Sequence, residues 1–216
     1  MQKRLQVAVV GAVCSLLLGA VTGHGTTVER MNVARLIGHA ELILVGQVVG
    51  MTDGFDGRNL PYTDVTLRVA ESIKGRVGGS YTFRQFGLMA PRDLGDGRTY
   101  VGVSPDGFPR FEVGEHVVVF LHARTSLGFQ SAAGLLQGKF RIEDSRVFNG
   151  INNAGLFDGL TVAPELLTGA ERKMIATIEG KCPAETFTGF VRKAIEQDIF
   201  NPAAPRPDRG GDHEER

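Results

Sequence analysis

The amino-acid sequence predicts a mainly β protein in which five or six antiparallel strands form a small closed or nearly closed barrel. Residues 61–73 and 80–86 alternate apolar and polar side chains with a period of two, as half-buried strands do. The runs 41–51 and 115–123 are short and strongly apolar, which is typical of strands buried on both faces. Glycines fall where such strands would bend. A short helix is predicted before the barrel and two helices after it.

The net charge of the chain argues against one class of partner. The 216 residues include 24 Lys or Arg and 24 Asp or Glu, so the formal net charge is zero. A nucleic-acid partner usually requires a basic face, and we therefore expect none. With 42% hydrophobic residues, the composition is that of one globular domain with additional terminal segments.

The N-terminal segment predicts export. Lys3 and Arg4 precede the almost wholly apolar run 5–21, which is the layout of a secretory signal peptide. We expect cleavage after residue 23, a periplasmic or secreted protein, and membrane contact only through the signal peptide before cleavage. An uncleaved anchor is the alternative. The mature chain would keep a single cysteine, Cys182, and could form no intramolecular disulfide.

The predicted barrel domain covers residues 24–145. Asn32 is a suitable N-cap for the short helix that precedes strand 41–51. The strands 61–73 and 80–86 form a hairpin around a glycine-rich turn. After the unusually long connection 87–110, the pattern predicts strands at 115–123, 128–133 and 137–143.

Residues 146–200 are predicted to form a loop and two helices that pack on the barrel. Thr168 and Glu171 form a capping box before the amphipathic stretch 170–179. Pro183 opens the second helix. Residues 201–216 are rich in Pro, Gly and charge, and we expect them to be disordered.

The residues that could carry catalysis form no recognisable set. His116 and His122 lie on one predicted strand about 20 Å apart, so they cannot share a metal ion. The common zinc and serine-hydrolase motifs are missing. We predict no catalytic residue, no metal ligand and no cofactor. An enzyme whose site combines His39, His116, His122 and distant loop carboxylates stays open as an alternative.

Acidic loops suggest calcium, but turn formation explains them better. Oxygen ligands recur in three connections. They are Asp53, Asp56 and Asn59; Asp93 and Asp96; and Asn149, Asn152 and Asn153. The same residue types are favoured in β-turns, and the order of ligands found in EF-hands is missing.

Cys182 and the aromatic strand 80–86 each allow two interpretations. Cys182 precedes a predicted helix start, where a thiol can become reactive, although a buried thiol between the two helices is the simpler prediction. Tyr81, Phe83, Arg84 and Phe86 could form a binding face, as on some small barrels, but the phenylalanines are more simply core residues.

Part of the chain resembles a known family. Ala40-Glu41 before an apolar strand, Lys74-Gly75 at the end of the next strand, and the aromatic strand 80–86 are similar in layout to the netrin-like modules of tissue inhibitors of metalloproteinases. Residues 134–142 also resemble a segment of exported bacterial proteins of unknown function. The resemblance covers residues 32–143 and implies an OB-type barrel. The inhibitors chelate zinc through an N-terminal cysteine, which this chain lacks near the start of its mature form.

These observations predict an exported, non-enzymatic binding or protein-interaction domain whose partner is a protein. The alternatives are the dispersed enzyme site described above and an inhibitor or partner of an exported peptidase. The interaction surface is expected on the loops 52–60 and 87–110. Its candidate residues are Asp53, Phe55, Asp56, Arg58, Asn59, Arg92, Asp93, Asp96, Arg98 and Tyr100.

Overall fold

A computed structural model of the chain describes residues 29–102 and 107–200. The predicted signal peptide, its cleavage point and the predicted disordered tail lie outside these residues. Within the two described ranges, every helix is too short or too polar to cross a membrane.

Most of the strands form one antiparallel sheet. Its seven strands follow the spatial order β3-β2-β1-β6-β7-β8-β9, and β4 pairs only with β5 in a separate small sheet. The strands are β1 (Leu42–Phe55), β2 (Pro61–Lys74), β3 (Ser80–Phe86), β4 (Arg92–Asp93), β5 (Thr99–Tyr100), β6 (His116–Leu121), β7 (Lys139–Glu143), β8 (Arg146–Asn149) and β9 (Cys182–Pro183). The helices are α1 (Val33–His39), α2 (Gly169–Ile175) and α3 (Ala184–Glu196), with 3₁₀ turns at Leu135–Gln137 and Pro164–Leu166.

The predicted mainly β class with one N-terminal and two C-terminal helices is confirmed, but the sheet is not a closed barrel, and it has seven strands where five or six are predicted. Among the described residues the sheet has a linear order with β3 and β9 at its ends. Residues 128–133 form only the isolated pair Leu121–Ala132 instead of a strand. The sheet continues beyond 144 because Asp144 and Ser145, with φ of 48° and 60°, make the tight turn into β8.

Strand β1 bends, as its glycines predict. Its pairing with β2 shifts register at three places, including the steps Val45/Gly46 and Val48/Gly50. A Cβ at Gly46 would collide with the carbonyl oxygen of Arg68 on β2, so only glycine allows this close approach.

The two faces of the sheet bury separate cores. Alternate residues of β6 point to opposite sides, with Val118 and Phe120 on the side covered by the helices. The second core, which we call the strand-side core, is lined mainly by β1, β2, β3 and β6. It contains Leu44, Val48, Val65, Leu67, Phe83, Phe111, Val117, Val119, Leu121 and Ala132.

The helix starts follow local signals. The Asn32 side chain accepts a hydrogen bond from the Arg35 N–H, and the Thr168–Glu171 capping box makes both of its bonds. Helix α2 ends at Ile175, earlier than predicted, because the Thr177 N–H bonds to the Met174 carbonyl in a tighter turn.

Candidate functional site

The two loops that the sequence singles out meet at one end of the sheet. We call residues 87–102, which contain β4 and β5, the arm. The Asp53 carboxylate on β1 accepts a hydrogen bond from the Met89 N–H at 2.9 Å and pairs with the Arg92 guanidinium. The Phe55 and Tyr100 rings pack edge to face, with centroids 5.2 Å apart. The arm is therefore held against β1 by polar and aromatic contacts.

Strand register explains why Asp53 faces the arm. Asp53 lies opposite Thr63, which lies opposite Gln85, so the three side chains form a row across β1, β2 and β3. This row lies on the same face of the sheet as the strand-side core, next to Val65 and Phe83. The Thr63 hydroxyl donates to the carbonyl of Gly87 at 2.8 Å, which holds the first residue of the arm. The Gln85 Nε2 atom is buried there and has no hydrogen-bond partner among the described residues.

The other predicted residues of loop 52–60 shape its turn. The Asp56 carboxylate accepts the N–H groups of Leu60 and Arg58, both at 2.9 Å. The bond from Leu60 is the main cause that lowers the pKa of Asp56. Asn59 adopts φ of 61°, a conformation that asparagine tolerates in turns. Asp56, Arg58 and Asn59 are thus turn residues beside the site.

Two predicted aspartates of the arm also form turns. Asp93 accepts the Gly95 N–H at 2.8 Å, and Asp96 accepts from Nε of Arg98 at 2.7 Å. The contact with Arg98 lowers the pKa of Asp96. Of the ten predicted residues, Asp53, Phe55, Arg92 and Tyr100 are brought together, while Asp93, Asp96 and Arg98 build the tip of the arm.

Three large apolar side chains of the arm are exposed. Val101 is 72% exposed, Met89 49% and Leu94 44%. The Leu88 N–H donates to the Gly102 carbonyl at 3.4 Å, which places Met89 and Val101 near each other. We call Met89 and Val101 the arm surface, because Leu94 lies two residues from Arg92 and therefore on the face that turns toward β1. Large apolar side chains exposed together commonly mark an interaction site.

An aromatic pocket that the sequence does not predict lies between the end of β3, at Phe86, and the segment that follows β6. It has a volume of about 280 Å³, and its aromatic wall includes Phe86, Phe108 and Phe129. The Phe86 and Phe129 rings contact edge to face at 5.7 Å. The available signal was the position of Phe86 on the outward face of an alternating strand, immediately before the arm begins.

Two of the three histidines in the described ranges form a pair. The rings of His39 and His122 lie 6.1 Å apart, and the Nδ1 atom of His122 is 3.0 Å from the carbonyl oxygen of His39. His116 lies at the other end of β6. In ranges 29–102 and 107–200, no cluster of three or more His, Cys, Asp or Glu residues could hold a metal ion.

The third group of candidate calcium ligands has a structural role. Asn149 and Asn153 are buried, and the Asn149 side-chain oxygen accepts the N–H groups of Asn153 at 2.8 Å and Ile151 at 3.1 Å. Asn152 adopts φ of 54° in the same turn. The Asn149 and Asn153 side chains thus stabilise the connection after β8.

A buried ion pair borders a second cleft. The Nζ of Lys139 donates to Glu115 at 2.8 Å and to the Arg110 carbonyl at 2.6 Å, and burial lowers the pKa of Lys139. The adjoining cleft has a volume of about 430 Å³ and is also lined by Arg141 and Phe148. The sequence pattern does not predict this pair, because Glu115 and Lys139 lie at the starts of apolar strands far apart in the chain.

Cys182 is buried, as the simpler of its two predictions states, but it lies on a strand of the sheet and not between the two helices. It lies on β9 beside Val147 and packs in the core covered by the helices. Burial raises the pKa of its thiol to about 11. A raised pKa disfavours the thiolate, which is the reactive form.

We therefore expect iodoacetamide to alkylate Cys182 in the folded protein at least about 100-fold more slowly than an ordinary thiol of pKa ~8.5 at pH 8. Mass spectrometry over time measures the rate, and the denatured protein supplies the matched control. Equal rates in the folded and denatured protein would contradict the buried position.

Comparisons with known proteins identify no relative. No family model, curated protein or solved structure matches the chain. The resemblance to netrin-like modules therefore stays a prediction.

Proposed function

We propose that this protein is an exported, non-enzymatic interaction domain that binds a protein partner through the arm surface. The observation that carries the proposal is the combination of a fixed arm and exposed apolar side chains on it. The export part rests on the leader-like sequence of residues 1–23.

The anchoring of the arm favours binding. The Asp53 side chain is only 10% exposed, and it holds the arm through both a backbone N–H and the Arg92 side chain. A loop that is already ordered loses less conformational freedom when it binds, so more of the interaction energy appears as affinity. An arm without such contacts would have to be ordered by its partner.

The composition of the arm favours a protein as the partner. Exposed apolar residues near aromatic rings are typical of the centre of protein interfaces. The arm carries Arg92 and Arg98 against Asp93 and Asp96, so it has no excess of positive charge to bind phosphates. A peptidase is one candidate partner, as the resemblance to metalloproteinase inhibitors suggests.

A relationship to OB-type barrels is part of the proposal. Strands β1, β2, β3 and β6 surround the strand-side core. The Gln130 N–H donates to the Arg84 carbonyl of β3 at 2.7 Å, while its neighbour Ala132 pairs with Leu121 at the end of β6. This segment spans part of the gap between β3 and β6, which supports a barrel that is partly open.

Site-specific photo-crosslinking tests the proposal, because it captures a partner whose identity is still unknown. A photoreactive phenylalanine analogue replaces Val101 in one sample and Ile178, which is 80% exposed beyond the end of α2, in the control. We expect crosslinks to a defined protein from position 101 and none from position 178. Identical products from both positions, or none from position 101, would refute the proposed surface.

A variant pair tests the role of the anchor. Asp53→Ala removes the carboxylate that holds Met89 and Arg92, so the yield of crosslinks from position 101 should fall several-fold. Asp96→Ala removes a carboxylate whose bonds go to Arg98 in its own turn, and it should change the yield little. Equal yields in both variants would show that binding does not depend on the anchored arm.

A further inference from the structure

We infer that the partner bound at the arm is a second copy of this chain, paired antiparallel through β5. The inference rests on the proposed function, because it identifies the partner of the same surface. It follows from comparing the strand edges of the described residues, since an open edge is a template for another strand.

The outer edge of β3 is already used within the chain. The Arg84 carbonyl accepts the Gln130 N–H, and the Thr82 carbonyl accepts a bond from the Arg124 guanidinium at 3.2 Å. These contacts occupy the carbonyl groups that a new strand would need. Pairing of another chain with β3 is therefore blocked.

The other end of the seven-stranded sheet is a poor template as well. Strand β9 has only two residues, and one of them is Pro183, which has no N–H to donate. Helix α3 begins immediately after it at Ala184. Too little extended backbone is left there to pair with another strand.

The two edges of the arm differ from each other. Pro91 immediately precedes β4, and the exposed Asp93 lies on it, which are two features that discourage strand pairing. On the β5 side, Thr99, Tyr100 and Val101 are β-branched or aromatic and uncharged. The β5 edge therefore has the composition of a strand that pairs.

The hydrogen-bond pattern between β4 and β5 turns the backbone N–H and C=O groups of alternate β5 residues away from β4. The Leu94 N–H bonds to the Arg98 carbonyl at 2.9 Å, and Arg92 lies opposite Tyr100. In an antiparallel pair the residues between such positions turn their N–H and C=O groups away from the neighbour. Thr99 and Val101 thus point their N–H and C=O groups to the edge of β5 with which no other described strand pairs.

A second copy satisfies this edge symmetrically. With a two-fold axis at Tyr100, Thr99 of each copy lies opposite Val101 of the other, and both exchange backbone hydrogen bonds. The separate two-stranded sheet then becomes four-stranded. A two-stranded sheet alone is only marginally stable, so the pairing also stabilises the arm.

Charge and area are compatible with self-association. The arm as a whole carries two arginines and two aspartates, so the arms of two copies have no net charge that would make them repel. A standard interface buries about 800 Å² per partner, of which about 450 Å² is nonpolar. The exposed apolar side chains of the arm supply part of this nonpolar area, and the paired β5 backbones supply the polar contacts.

Sedimentation equilibrium of the purified full chain tests the inference. We expect a dimer that dissociates on dilution. Thr99→Pro removes an outward N–H without breaking a bond to β4, and Val101→Asp places a charge at the interface; each should weaken dimerisation at least tenfold. Ile178→Asp, at an exposed site outside the arm, should leave the dimer unchanged. Circular dichroism checks that each variant is folded.

Two results would overturn self-association. One is a wild-type chain that is monomeric at every concentration, and the other is a dimer unaffected by both arm variants. Crosslinking at position 101 in a mixture of isotopically labelled and unlabelled chains shows whether the crosslinked partner is a second copy or a different protein. It therefore distinguishes a failure of self-association from a failure of the proposed function. Crosslinks to a different protein with a monomeric chain would leave the proposed function standing, whereas loss of all crosslinks would remove both.

Discussion

Replacing Glu115 by Leu should destabilise the protein by about 3–5 kcal/mol at neutral pH, because it leaves the buried Lys139 ammonium without its counter-charge. The side chains of Glu115 and Lys139 are 7% and 8% exposed. The Lys139 Nζ would keep the Arg110 carbonyl as a hydrogen-bond partner but lose the carboxylate. Urea denaturation measures the free energy of unfolding.

The matched variants are Lys139→Met and the double variant with both replacements. An apolar pair of similar volume can be as stable as a buried ion pair, so the double variant should recover most of the loss. A double variant as unstable as Glu115→Leu alone would contradict the explanation, because the cost would then come from packing.

The pH dependence of stability has a definite sign. Burial lowers the pKa of Lys139 in the folded protein below its ordinary value of 10.5. Between these two values the unfolded chain binds more protons than the folded one, so the contribution of Lys139 to stability rises with pH. The difference in unfolding free energy between wild type and Lys139→Met, measured against pH, isolates this effect. Cys182 titrates in both proteins, so its contribution cancels in the difference.

Replacing Phe187 by Ala should cost about 3–5 kcal/mol, since it removes a ring from the contact between α3 and the sheet. The Phe187 ring is fully buried and lies 4.8 Å from the Phe140 ring and 6.4 Å from that of Phe120, measured between centroids. The cavity would form between α3 and the sheet, where the Phe120 and Phe140 rings lose their contact with the Phe187 ring. Chemical denaturation again provides the measurement.

The controls separate burial from the loss of an aromatic ring. Phe187→Leu fills part of the cavity and should lose clearly less stability than Phe187→Ala. Phe86→Ala removes a ring that is 38% exposed and should cost about 1 kcal/mol or less. Similar losses for Phe86→Ala and Phe187→Ala would show that α3 does not complete the core.

The proposed partner binding and the proposed self-association both depend on the exposure of the Val101 side chain. The arm leaves Val101 in solvent although its neighbour Tyr100 packs on Phe55. One strand therefore presents one face to the body of the protein and another face outward. Crosslinking and sedimentation both probe the outward face, so they test the same surface by independent observables.

Local signals were sufficient for several elements. The alternation of β2 correctly assigns Thr63, Val65 and Leu67 to the buried face, because strand neighbours always point to opposite sides. The capping box at Thr168 and the N-cap at Asn32 were also correct, since their bonds join residues three apart. Such features need no information from distant parts of the chain.

The number of strands in the sheet, and whether the sheet closes into a barrel, depend on the tertiary structure. Asp144 and Ser145 have positive φ, but the turn lacks the glycine that usually marks such a turn. The sequence pattern therefore does not predict β8, and the predicted sheet has too few strands. Residues 128–133 alternate like a strand, but they form only one strand-like pair. Pairing depends on which edges are free, and that is a property of the assembled sheet.

The sequence alone determined the β class, the strand faces, the helix starts and the two loops that could carry recognition. Only the tertiary structure joined Asp53 to Arg92, Glu115 to Lys139 and His39 to His122. Periodicity and capping act over a few residues, whereas these partners are separated by 39, 24 and 83 positions. Contacts at such separations depend on register and bending, which the whole fold sets.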